Sequence, residues 1–267
     1  MQVFLVEENN KKNKIKSFFK KFEIKNDKIL LNCKLNKMNI KGKIKLAEEL
    51  NKLNIKNIIL SKEIKKDKEF INFLYSNNFN IINGRKLFKE IIYILIEEIF
   101  EKKNIKMQEK QISIMANKMD SYSKNLINVF SRKFKTLNVV TNNIPYFVTL
   151  KEQLWEDEGI VIILTNNKKK ALSKSDIIIN IDFPEEIVNT YHICDEAIII
   201  NLEENIKIKK KRFTGPIIND YKIKAKEESK LSEFLNKEEY KKYDVKDLAE
   251  VYIANNPEEL QNIIIYK

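Results

Sequence analysis

The sequence predicts an α/β protein built from two Rossmann-like domains of wound parallel sheet, joined by a long helix and followed by a helical C-terminal tail. Three observations carry this reading. Short apolar, β-branched runs alternate with segments of helical period along the whole chain. Several runs in the second half, VIIL at 161–164, IIINI at 177–181 and AIIINL at 197–202, are apolar almost throughout, as strands buried on both faces of a sheet are. Strands and helices alternate with short connections between them, which argues for a mostly parallel sheet wound by right-handed crossovers.

The elements follow in order. Val3–Val6, Ile29–Asn32, Ile58–Leu60 and Phe79–Ile82 have strand length and strand composition. Between them, Ile44, Leu46, Ala47, Leu50 and Leu53 put an apolar stripe on one helix, and Phe70, Ile71, Phe73 and Leu74 on another. Gly84 opens a long helix that runs to about Lys103 and bridges to the next unit. The first domain, flavodoxin-like or Rossmann-like, is therefore placed at 1–104. The second, at 105–225, reads as strand Ile112–Ala116, helix Tyr122–Phe134, strand Leu137–Thr141 and helix Phe147–Glu158 stopped by Gly159. Strand Ile160–Thr165, a short helix around Ala171 and Leu172, strand Ile177–Ile181, a helix opened by Pro184 and strand Ala197–Leu202 complete the run. Phe213–Ile223 offers one more strand. Residues 226–267 form the tail, two amphipathic helices and a closing strand at Ile263–Ile265.

Composition narrows the functional classes. Hydrophobic residues make up 43% and charged residues 33%, enough for a core and unlike a disordered chain. Glycine occurs only four times in 267 residues, which excludes collagen-like, linker and Gly-rich repeat classes and leaves no clustered glycines for a phosphate loop. The net charge is +12, yet only Arg85, Arg132 and Arg212 are arginines, and Lys, Asn and Ile dominate as in any protein written by an AT-rich genome. The excess is localised: residues 1–110 hold 26 basic and 14 acidic side chains, residues 111–267 hold 24 of each. Cys33 and Cys194 stand far apart, arguing against a disulfide framework. No basic region precedes the first apolar run, and the longest uninterrupted apolar run, Ile91–Ile96, is too short to span a bilayer. A soluble, cytoplasmic protein without membrane attachment is expected.

Ligands of wound sheets sit beyond the carboxyl ends of the strands. There the sequence places Asn117, Lys118 and Ser121, then Thr141, Asn142 and Asn143, then Thr165 and Asn166, then Asn180 and Asp182. Asparagine closes each strand of the second domain, and an amide that both donates and accepts suits a ribose or another small polar ligand. Gly84, Arg85 and Lys86 set backbone N–H groups beside two cations at a helix start, a candidate anion site. The sole histidine, His192, with Cys194 and Asp195 has no second pair at ligand spacing, so no metal site is expected. Cys33 reads as packing. The basic run Lys207–Arg212 reads as a solvated loop or a guarded edge, or as a contact for a phosphate backbone.

The Thr-Asn-Asn turn after the second strand, followed by Ala-Leu-Ser-Lys-Ser-Asp-Ile-Ile-Ile-Asn at 171–180, resembles the NAD(P)-binding domain of the shikimate dehydrogenase and glutamyl-tRNA reductase type. The resemblance covers about 111–202. It implies a dinucleotide cofactor, with Asn142 or Asn143 where that group has Asn-Arg-Thr. The chain departs from the pattern at the first turn, Asn117-Lys118-Met119-Asp120-Ser121, which has no glycine for the pyrophosphate and carries an acid that repels it. The arginine after the second strand is missing, and a catalytic Lys–Asp pair is not identifiable. The expectation is a degenerate NAD(P)-binding-like protein, taking a small polar ligand or a protein partner without standard dehydrogenase chemistry. The alternatives are an NAD(P)-dependent oxidoreductase with an atypical phosphate loop, and a nucleic-acid or polyanion module using residues 1–110. Self-association into a homo-oligomer is left open, as is catalysis.

Overall fold

A computed structural model of the chain describes residues 2–7, 22–25, 28–31 and 38–266. Cys33 and the end of the strand expected at Asn32 lie outside them. The described chain divides into two compact units, residues 1–87 with 222–267, and residues 88–221. Mixed α/β architecture with parallel sheets holds for both. The unit boundaries differ from those the sequence suggests. Residues 88–104 go with the second unit rather than the first, and the C-terminal segment is part of the first unit rather than a separate tail.

The first unit contains β1 (Gln2–Glu7), β2 (Phe22–Lys25), β3 (Lys28–Leu31), α1 (Ile40–Lys52), β4 (Asn57–Leu60), α2 (Lys68–Ser76) and β5 (Asn80–Ile82). Its sheet runs β2-β3-β1-β4-β5, parallel except for the antiparallel β2–β3 pair. Period-two side-chain alternation splits the strands between two cores. Val3, Leu5, Ile58, Leu60 and Ile81 pack with Leu46, Leu50, Phe70 and Leu74 from α1 and α2. Phe4, Ile59 and Ile82 face the other way and meet Tyr240, Tyr243, Leu248 and Val251. These four lie beyond β12 (Lys222–Ala225), around α8 (Lys230–Leu235) and α9 (Val245–Asn255). The tail therefore belongs to the first unit because a sheet apolar on both faces needs a second layer, and α8 and α9 supply it. The closing strand β13 (Ile263–Tyr266) pairs antiparallel with β12, in a separate two-stranded sheet.

The expected long helix is broken. α3 (Arg85–Glu90) straddles the unit boundary, and α4 (Ile92–Lys103) follows after Ile91, which caps it with non-helical dihedrals. The second unit continues with β6 (Gln111–Met115), α5 (Ser121–Lys133), β7 (Thr136–Val140), α6 (Ile144–Glu158) and β8 (Ile162–Thr165). Then come β9 (Ile177–Asn180), the single-turn α7 (Glu185–Val188), β10 (Ile198–Asn201) and the two-residue β11 (Ile217–Ile218). All six strands are parallel, in the order β11-β10-β9-β6-β7-β8. Numbered within the unit this is 6-5-4-1-2-3, the doubly wound Rossmann arrangement with its switch point between β6 and β9. Local signals are met: Asp120 caps α5 through the Ser123 N–H at 2.7 Å, and Gly159 ends α6 in the left-handed region at φ +66°.

One expected helix is absent. Around Ala171 and Leu172 the chain forms turns and a parallel bridge to Ile193. The Ala171 carbonyl accepts from the Ser113 hydroxyl at 3.2 Å and the Asn138 amide at 3.1 Å, and the Leu172 carbonyl accepts from the Cys194 N–H at 3.1 Å. These acceptors are spent on the sheet and the neighbouring loop, and a helix would need them for itself. Among the described residues no helix is long and apolar enough to cross a membrane.

Candidate functional site

At the switch point the loops after β6 and β9 face each other, and in a doubly wound sheet this crevice takes the ligand. The first turn of a dinucleotide site presents bare N–H groups to a phosphate. Here those donors have an internal acceptor. The Asn117 N–H donates to both carboxylate oxygens of Asp182, at 2.8 and 3.1 Å, and the Lys118 N–H donates to one of them at 3.1 Å. Asp182 thus reaches across from the β9 loop and sits on the N–H groups that a phosphate would use. Burial holds its carboxyl above the usual carboxylate range, and Glu203 nearby adds to this, while the two N–H groups and Lys118 pull the other way.

The asparagines at the strand ends tie loops to one another. Asn117 Oδ1 accepts from the Asn142 N–H at 3.0 Å, and the Asn143 amide donates to the Asn117 carbonyl at 2.9 Å. Thr141 Oγ1 takes the Asn143 N–H at 3.0 Å, and Thr165 Oγ1 the Asn167 N–H at 3.1 Å, so both Thr-Asn-Asn turns are locked by their own threonine. Asn180, 3% exposed, bonds both backbone groups of Phe183, accepting from the N–H at 3.0 Å and donating to the carbonyl at 2.9 Å. Its amide also reaches Asn201 at 3.2 Å, and Asn201 donates to Asn219 at 2.8 Å. Asn219 in turn brackets Ile206, accepting from its N–H and donating to its carbonyl, both at 2.9 Å. Of the predicted ligand residues, the structure brings together Asn117, Lys118, Asn142, Asn143 and Asp182. Asn180 joins a separate buried ladder along β9, β10 and β11. Ser121 is the exposed first residue of α5, and Asn166 is exposed beyond β8.

A further polar group joins the same end of the unit and is not foreseen from the sequence. Lys89 pairs with Glu203 at 2.9 Å, its ammonium lies 5.5 Å from the Tyr122 ring centroid, and the Tyr122 hydroxyl donates to the Lys89 carbonyl at 3.2 Å. Burial pushes the Tyr122 hydroxyl well above the usual tyrosine range. No spacing signal marks this trio, since its members come from three distant segments.

The predicted anion site at Gly84, Arg85 and Lys86 lies in the first unit, apart from these residues in the chain. Gly84 has φ +79°, and a Cβ there would meet Lys246 Cγ at 2.8 Å. The N–H groups of Lys86 and Leu87 donate to Glu250 of α9, at 3.1 and 3.4 Å, and the Arg85 N–H donates to Asn83 at 3.1 Å. In the first unit Glu250 thus takes the Lys86 N–H that the sequence offers to an anion, as Asp182 takes those of Asn117 and Lys118 in the second. His192 is exposed, with its N–H on the Lys168 carbonyl at 2.7 Å. The basic run is a loop before β11, held by Asn189 to Lys207 and Lys209 and by a Lys209–Glu185 pair at 2.6 Å. Among the described residues no group of three or more His, Cys, Asp and Glu side chains stands at metal-binding distance.

A dinucleotide pyrophosphate does not fit this first turn. It would have to displace Asp182 from both N–H groups, and it would meet Asp120 and Asp182 as like charges.

No family model matches the chain, and no curated protein is similar to it in sequence. Among solved structures it is similar to an L-tryptophan dehydrogenase from Nostoc punctiforme, at 9% identity and a TM-score of 0.42 over 98% of this chain and 78% of that one. It is also similar to a shikimate dehydrogenase solved with NADP+, at 11% identity and 0.38 over 95% of each chain. An ornithine carbamoyltransferase from Pyrococcus furiosus matches at 10% identity and 0.34, over 82% of this chain and 75% of that one.

Proposed function

We propose that this chain is a Rossmann-fold binding protein that takes a small polar ligand, neutral or cationic, at the carboxyl end of its second sheet and does not carry out standard dehydrogenase chemistry. The observation that carries this reading is the Asp182 carboxylate on the N–H groups of Asn117 and Lys118. A carboxylate fixed there disfavours any phosphate by Coulomb repulsion and by loss of its donors, and it favours a ligand that brings a donor or a positive charge. The exposed rim of the same loops, Lys118 and Asn142, supplies further polar contacts.

The test is a titration with NADPH and NADH, followed by cofactor fluorescence and by thermal shift of the full chain. No saturable signal is expected up to millimolar dinucleotide, while native mass spectrometry of the freshly purified chain is expected to retain a small, phosphate-free molecule. Saturable NAD(P)H binding at micromolar concentration would overturn the reading.

A further inference from the structure

The second sheet ends at β8, whose only strand neighbour among the described residues is β7. Exposed sheet edges normally carry a lysine, a proline, a bulge or a cover, because their free N–H and C=O groups recruit other strands. The segment Gly159-Ile-Val-Ile-Ile-Leu-Thr165 has no charged residue and no proline. One face of this edge is bare as well. Ile163 is in register with Asn138, and Asn138 with Ser113, so the three share a face. The crossover after β8 covers Ser113 and Asn138 through the Ala171 carbonyl. It forms no helix, and Ile163 beyond them stays 47% exposed, with Val161 61% exposed. Every exposed large apolar side chain among the described residues of the second unit, Tyr146, Trp155, Val161 and Ile163, lies on α6 or on this arm.

The flanking charges say what covers it. Glu156, Asp157 and Glu158 precede the segment, and Lys168, Lys169 and Lys170 follow it. The two triplets are placed symmetrically about Ile163. A parallel partner of the same sequence would set acid beside acid and base beside base. The acids close α6 just before the strand, with Glu158 paired to Arg132, and the lysines form the turn after it. An antiparallel partner centred on Ile163 therefore brings the acid-bearing end of each strand beside the lysine-bearing end of the other. Both lysines and acids are exposed. A second copy related by a two-fold axis supplies that antiparallel partner, since an isologous contact presents the same patch from both sides.

We propose that β8 pairs antiparallel with β8 of a second copy about a two-fold axis near Ile163, joining two second-unit sheets into one. Ile163 of each copy lies opposite Ile163 of the other and Val161 opposite Thr165, and the Glu156–Glu158 and Lys168–Lys170 triplets come near one another at the two ends.

Sedimentation equilibrium of the full chain tests this. The wild type is expected at twice the 31.7 kDa of one chain. Ile163→Lys puts two like charges at the axis and is expected to raise the dissociation constant roughly 30-fold or more, with unchanged circular dichroism because the side chain is exposed. Replacing Lys168, Lys169 and Lys170 with Glu is expected to dissociate the dimer, and adding Glu156→Lys and Asp157→Lys to restore it. Hydrogen exchange at 161–165 should slow as concentration rises. A wild type that stays at 31.7 kDa at its highest attainable concentration overturns the proposal. So does a dimer that neither Ile163→Lys nor the lysine replacement weakens.

Discussion

Gly215→Ala is expected to destabilise the second unit by about 3 kcal/mol, the upper end of what overpacking ordinarily costs. A Cβ at this position would lie 2.0 Å from the Ala197 carbonyl oxygen and 2.9 Å from the carbonyl carbons of Ala197 and Glu196. All three are backbone atoms, so no rotamer change relieves the clash. The approach is close because Thr214 and Gly215 both donate to the Asp195 carbonyl, at 2.8 and 2.9 Å, and because β11 follows at once and pairs with β10. Moving Gly215 away breaks those bonds and the outermost strand pair together. Scanning calorimetry should show the transition of the second unit lowered by about 10 °C. A variant that melts within a degree or two of the wild type would show that this loop yields without cost.

Lys65→Met is expected to destabilise the first unit strongly and in a pH-dependent way. The Lys65 ammonium bonds the carboxylates of Asp244 and Asp247, and Asp247 is fully buried with its Oδ1 lacking any partner. Burial raises the Asp247 carboxyl to about 6, against the pull of Lys65 and, more weakly, Lys246, while Asp244 raises it further. A group raised in the folded state contributes stability that is fully present below its ordinary pKa and is lost as pH rises through the folded one. Asp247 is therefore most favourable when neutral, below about 4, and its contribution is gone above about 6. Lys65 is itself raised above its ordinary value, so its contribution is constant from pH 5 to 8. Without Lys65 the folded pKa of Asp247 climbs further, and an unpaired buried charge costs about 3–5 kcal/mol. The loss in melting temperature should be small at pH 5 and large at pH 8. Adding Asp247→Asn should recover most of it at pH 8. A loss that is the same at both pH values, or a double variant no better than the single, would mean that lost packing of the lysine stem is the cause.

How much of this was legible in the sequence depends on how local each signal is. The strands of the second unit were, because runs such as IIINI declare burial on both faces without reference to anything else in the chain. So was the Gly159 stop, which depends on one residue. The partner of the first sheet's second face was not. Phe4, Ile59 and Ile82 show that a layer is needed, yet nothing local says that Tyr243 and Leu248 provide it. The helix expected at Ala171 failed for the same reason: Ser113 and Asn138, distant in sequence, claim its carbonyl. The site divides in the same way. Asparagine at every strand end was visible, but an amide can serve a ligand or a neighbouring loop, and strand order decides which. With β9, β10 and β11 side by side, Asn180, Asn201 and Asn219 fall within reach of one another. The missing glycines at 117–121 did carry information. A turn whose N–H groups receive no phosphate needs another acceptor, and Asp182 supplies it from 65 residues further along the chain.

Asp182 occupies the anion position of the second unit's first turn. Isothermal titration of inorganic pyrophosphate into the wild type and into Asp182→Ala measures this occupancy, with circular dichroism to confirm that both are folded. The wild type should give no saturable heat. Asp182→Ala, with the Asn117 and Lys118 N–H groups released beside the α5 N-terminus, should bind pyrophosphate at least about tenfold more tightly. Saturable binding by the wild type that Asp182→Ala leaves unchanged or weakens would show that Asp182 does not hold the anion position.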